Sequence, residues 1–88
     1  MLQRSLEIRN KLGLHARAAA KFVRCAGAFE CGVSIVRGDM QVDGKSIMGV
    51  LLLAAPKGTV LDVIADGVDE EAALEAISEL VDAKFGED

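Results

Sequence analysis

Polar and apolar positions alternate over residues 2–8, with Leu2, Leu6 and Ile8 on one side and Gln3, Ser5 and Glu7 on the other. A period of two predicts a half-buried strand. Asn10, Lys11, Leu12 and Gly13 then read as a loop with a glycine hinge. Across 16–26 the period becomes helical. Ala19, Phe22, Val23 and Ala26 share one face, and Arg17, Lys21 and Arg24 stack on the other at i, i+4 and i+7. The alanine content favours the same helix, and Gly27 is placed to cap its end.

Two short strands are predicted next, 32–37 and 40–43, around a Gly38-Asp39 turn. Ser46 stands where an N-cap would stand, ahead of a short helix over 47–53. Pro56, Lys57 and Gly58 form a turn, and the Val, Leu and Ile of 59–66 predict a further strand. Asp69 occupies the cap position of a last helix, 70–84. Glu70 and Glu71 suit its positive end, and Ala73, Leu74, Ile77, Leu80 and Val81 form its apolar stripe. The order β-α-β-β-α-β-α predicts an α+β domain of two layers, a single domain spanning residues 1–88.

Composition supports this reading and narrows the function. Half of the 88 residues are hydrophobic (51%), enough for a core without metal or disulfide staples. A net charge of −4 argues against non-specific nucleic-acid binding. Residues 1–45 carry eight basic and four acidic groups, whereas 46–88 carry two basic and ten acidic ones. One half of the chain therefore suits anions or acidic proteins. Cys25 and Cys31 lack metal spacing. Their spacing leaves a disulfide open, but two thiols in a core-rich domain point to reduced, packing roles. The apolar run 47–55 is too short to span a bilayer, and the start of the chain reads as a strand rather than a leader. A cytoplasmic location is expected, with no cofactor and no metal.

The single histidine, His15, stands at the first turn of the first helix. Helix N-termini carry unpaired N–H groups and partial positive charge, and so favour anions. Arg17 follows two residues later, with Lys21 and Arg24 continuing the basic stripe. A phosphoryl group on this imidazole would meet N–H donors and a guanidinium. A neutral imidazole is nucleophilic, and a group attached to it can leave again. A histidine near a helix start is also an ordinary cap or surface residue, and a basic stripe is also an ordinary solvated face.

Three stretches carry a resemblance that bears on this choice. Lys11-Leu-Gly-Leu-His15-Ala-Arg17-Ala-Ala resembles the active-site signature of HPr, the histidine-containing phosphocarrier family of the bacterial phosphotransferase system. Asp43-Gly-Lys-Ser46-Ile-Met-Gly-Val-Leu is similar to that family's regulatory serine region, and Ala55-Pro-Lys-Gly58-Thr to its last turn. The resemblance spans essentially the whole chain. It implies an open-faced β-sandwich, a four-stranded antiparallel sheet covered on one face by three helices. It implies that His15 accepts a phosphoryl group from enzyme I, which draws it from phosphoenolpyruvate, and donates it to an enzyme IIA-type acceptor. Arg17 would steady the phosphoryl charge. Ser46 would be the target of an HPr kinase/phosphatase. The chain would be a monomeric transfer intermediate rather than a self-sufficient enzyme. Family members commonly have proline after the arginine; this chain has Ala18, a good helix former.

Ser46 thus has a structural role as an N-cap and an implied regulatory one. Ile47, Met48 and Leu51 read either as core or, since Val50 and Leu53 suffice for the buried side, as an apolar docking patch. With Arg17, Lys21 and Arg24 they form the partner-binding set the resemblance supports. The alternative functions are a purely regulatory member of a nitrogen-related phosphotransferase chain acting by protein binding, and a small-molecule-binding domain. A hydrolase would need a second catalytic group, and none is visible.

Overall fold

A computed structural model of the chain describes residues 1–87. The elements are β1 (Leu2–Glu7), α1 (Ala16–Gly27), β2 (Gly32–Arg37), β3 (Met40–Asp43), α2 (Ile47–Leu52), β4 (Val60–Asp66) and α3 (Glu70–Asp82), followed by a single 3-10 turn, Lys84–Gly86. The strands form one antiparallel sheet in the order β1-β4-β2-β3. Leu61, Val63 and Ala65 of β4 alternate with the half-buried Asp62 and Ile64, and Val33 and Ile35 of β2 are buried alongside. This is the period-two pattern of a sheet covered on one side only. Onto that side pack Ala18, Ala19, Phe22 and Ala26 of α1, Val50 of α2, and Ala73, Leu74, Ile77 and Val81 of α3. The expected open-faced architecture is present, with three helices on one layer.

The differences from the sequence expectation lie at ends and edges. β1 stops at Glu7, β4 starts at Val60 and α2 ends at Leu52. Leu2 is exposed although its face holds Leu6, because the same face carries Arg4, whose guanidinium donates to Ser78 Oγ at 2.9 Å. Gly27 is the last residue of α1 rather than its cap; Ala28 takes that place in right-handed geometry. Val23 and Leu80 are half-buried. α3 ends two residues before Lys84, because Lys84 and Phe85 both adopt φ of 56° and turn the chain back. Phe85 is thereby buried in the core. Cys25 is half-buried and Cys31 buried, both as free thiols, and burial pushes each thiol upward from its ordinary range.

Asp69 precedes α3 as expected but does not cap it. Its carboxylate reaches across to the α1–β2 connection and accepts the N–H groups of Glu30 at 2.8 Å and Cys31 at 2.9 Å. These bonds, led by the one from Glu30, hold the Asp69 carboxyl below its usual range against the opposing effect of burial. A depressed folded value means that the stabilisation is present above the unfolded carboxylate range and fades as pH falls through the folded one. Asp69→Asn is therefore expected to lower Tm at neutral pH, and the gap to the parent is expected to close on acidification. A gap that stays constant through the acid range would place the effect elsewhere.

Candidate functional site

The loop between β1 and α1 is built from Asn10 and Gly13. Gly13 N–H donates to the Asn10 carbonyl at 3.1 Å, and the buried Asn10 Nδ2 donates back to the Gly13 carbonyl at 2.7 Å. Gly13 has φ +68°, and a Cβ there would lie 2.5 Å from the Ala55 carbonyl oxygen. Only glycine allows this left-handed residue to press on residues 55–56. Leu14 N–H then donates to the same carbonyl at 2.9 Å, so the loop is clamped where His15 begins.

His15 is the N-cap of α1, in extended geometry. Its Nδ1 accepts the Arg17 N–H at 3.3 Å, as a capping side chain does. Its Nε2 lies 2.8 Å from Glu87 Oε2. The other carboxylate oxygen, Oε1, accepts Asn10 Nδ2 at 3.0 Å. Lys21 Nζ donates to the Phe85 carbonyl at 2.6 Å, which ties the segment after α3 against α1. Burial pushes the Glu87 carboxyl upward. The hydrogen bonds from Asn10 and His15, with attraction from the Lys21 charge, outweigh it and hold the carboxyl below its usual range.

An open hollow beside the imidazole is lined by Lys11, Leu12, Ala16, Arg17, Lys21, Gly86 and Glu87. Arg17 is exposed there, free to meet an anion beside His15. Lys21, expected on the solvated stripe, is half-buried and engaged with the Phe85 carbonyl. Arg24 is exposed in the last turn, where its charge suits the helix end. Ser46 is the N-cap of α2, its Oγ accepting the Gly49 N–H at 3.2 Å. α2 packs against α1. Ile47 and Met48 are exposed, whereas Leu51 is half-buried against the core and Leu52 takes the exposed position instead. Asn10, Leu12, Leu52 and Glu87 were absent from the sequence-based site. An asparagine before Lys11-Leu-Gly was the one local signal available, as Asn commonly organises turns.

Among the described residues no group of three or more His, Cys, Asp or Glu side chains is arranged to hold a metal ion. No helix is long and apolar enough to cross a membrane.

Fold and site together describe a small open-faced α+β domain that presents one histidine at a clamped helix start. A family model described as "PTS HPr component phosphorylation site" matches residues 2–83. The chain belongs to the HPr family, the phosphocarriers of the phosphotransferase system. It is 51% identical over 87 residues to the phosphocarrier protein HPr of Neisseria meningitidis serogroup A, covering 99% of this chain and 98% of that one. It is 44% identical to the phosphocarrier protein NPr of Shewanella violacea, covering 98% and 94%. The crystal structure of HPr-C-His from Thermoanaerobacter tengcongensis superposes with a TM-score of 0.96 at 42% identity, covering 100% and 99% of the two chains.

Proposed function

We propose that this chain accepts a phosphoryl group on His15 from enzyme I and passes it to an enzyme IIA-type acceptor. The observation that carries the reading is the arrangement at His15. An imidazole whose Nδ1 points to the first-turn N–H of Arg17 opens on a hollow that also holds the Arg17 side chain. The long hydrogen bond from the Arg17 N–H is released, and the freed Nδ1 lone pair forms the N–P bond as the donor's bond to phosphorus breaks, its electron pair leaving with the donor. The reverse cleavage returns the pair to Nδ1 when the acceptor attacks. Phosphoryl transfer asks chiefly for positioning and positive charge. The N–H groups at the start of α1 and the Arg17 guanidinium supply both here, and the partner enzymes supply the rest.

Arg17, Arg24, Ile47 and Met48 are the exposed members of the docking surface, with Leu52 joining them and Lys21 and Leu51 bracing it from below. Phosphorylation of Ser46 would add charge at the start of α2, where the helix tolerates it and a docking partner does not. The protein acts in the cytoplasm as a monomer. Similarity to an NPr-type relative favours a second reading, a regulatory role in a nitrogen-related chain; the acceptor that drains the phosphoryl group distinguishes the two.

Incubation with enzyme I and phosphoenolpyruvate is expected to add one acid-labile phosphoryl group per chain. Arg17→Ala is expected to slow that uptake about 100-fold, the scale of losing one preorganised donor to a transferring group. An acid-stable product, or no uptake at all, would overturn the reading.

A further inference from the structure

The segment after α3 is an unusual way to finish a helix. Lys84, Phe85 and Gly86 all have positive φ (56°, 56° and 73°), in a left-handed region that non-glycine residues avoid. Two anchors hold it there. Phe85 fills the core at 1% exposure, and its carbonyl accepts Lys21 Nζ. The result of this geometry is that Glu87 is delivered to His15. One carboxylate oxygen rests on Asn10 Nδ2, which is itself fixed by Gly13, and the other faces His15 Nε2.

We propose that Glu87 is a positioning residue for phosphoryl transfer at His15: its carboxylate holds the ring by Nε2–H and leaves the Nδ1 lone pair as the reactive nitrogen. Two contacts converge on this tautomer. Nδ1 accepts an N–H and so carries no proton, and Nε2 faces an acceptor-only carboxylate and so carries one. Histidines that act as ligands or nucleophiles are oriented through their second nitrogen in the same way. The ring also gains positive charge as the N–P bond forms. The Nε2 proton stays in place, and that charge sits against the Glu87 carboxylate until the bond breaks again. Among the described residues lining the hollow, Glu87 is the one anion that can neutralise it; the other charged ones, Lys11, Arg17 and Lys21, are cations suited to the phosphoryl oxygens. The depressed Glu87 carboxyl agrees with a group that stays ionised in this role.

This inference rests on His15 being the phosphoryl acceptor. Its test uses the full chain as the varied substrate of enzyme I. Glu87→Ala is expected to lower kcat about tenfold, the scale of losing a partner that orients a functional histidine. KM is expected to stay within about twofold, because Glu87 is half-buried at the Nε2 edge of the ring and orients it without docking the partner. In proton NMR, the ring N–H resonance of His15 in the parent is expected at low field, and in Glu87→Ala it is expected to be lost to exchange with water. Glu87→Gln, which offers one uncharged oxygen to two donors, is expected to fall between the two in both measurements. An unchanged kcat in Glu87→Ala, or a raised KM at constant kcat, overturns the positioning role while leaving His15 as the acceptor. Failure of the parent itself to take up phosphoryl on His15 overturns the underlying reading and the inference with it.

Discussion

His15→Ala is expected to take up no phosphoryl group from enzyme I while remaining folded. The chain has one histidine, so no second imidazole can substitute. Cys25 and Cys31 offer no alternative nucleophile, since burial pushes both thiols away from the reactive thiolate. The fold consequence is separable. His15 caps α1 through Nδ1, and loss of a cap costs about 1 kcal/mol. His15→Asn keeps a capping acceptor and removes the nucleophile. It should therefore match the parent more closely in urea unfolding and be equally dead in phosphoryl uptake. Measurable uptake by either folded variant would mean that the group is carried elsewhere.

Gly13→Ala is expected to destabilise the chain by about 2–4 kcal/mol, combining a strained left-handed backbone with forced overpacking. The added Cβ would lie 2.5 Å from the Ala55 carbonyl oxygen and 2.9 Å from Pro56 Cα, both backbone atoms that no side-chain rotation can move aside. Either the loop lifts from residues 55–56, breaking the 2.9 Å bond from Leu14 N–H, or the turn before β4 shifts. In both cases the start of α1 moves with His15, so phosphoryl uptake should slow alongside the loss of stability. Gly27→Ala is the matched comparison. It sits at the end of α1 with open space around its Cβ position, and should be neutral or stabilising by about 0.5–1 kcal/mol. Equal urea midpoints for the two variants would refute the clamp.

The contrast between those glycines shows what could be read from sequence. Signals that act within a few residues were legible. The helical spacing of Ala19, Phe22 and Ala26 located α1, the Gly38-Asp39 turn located β2 and β3 to the residue, and Ser46 was recognised as a cap that its Oγ in fact supplies. His15 and Arg17 stood out because a helix start and a basic residue are local features. The misreadings came from partners far along the chain. Asp69 looked like a cap because caps are local, but its hydrogen bonds go to residues 30 and 31. Glu87 is 72 positions from His15, and nothing near it in sequence announces the contact. Lys84 and Phe85 carried no glycine to mark a left-handed turn, because burial of Phe85 and the Lys21 bond impose it. Leu51, expected on the apolar patch, is half-buried, and Leu52, given no place from the sequence, is exposed, for another reason. A helix of six residues is too short for periodicity to say which of two adjacent leucines meets the core.

The clamped loop, the capping geometry and the carboxylate at Nε2 all serve one claim, that the phosphoryl group is carried on Nδ1 of His15. Because the chain has a single histidine, labelling histidine with nitrogen-15 labels that ring alone. Phosphorus–nitrogen coupling in the chain charged by enzyme I and phosphoenolpyruvate reads the bond directly. The expected result is a splitting at Nδ1, with Nε2 still bearing its proton. Coupling at Nε2, or an unsplit ring in a chain that has taken up phosphoryl, would contradict the account.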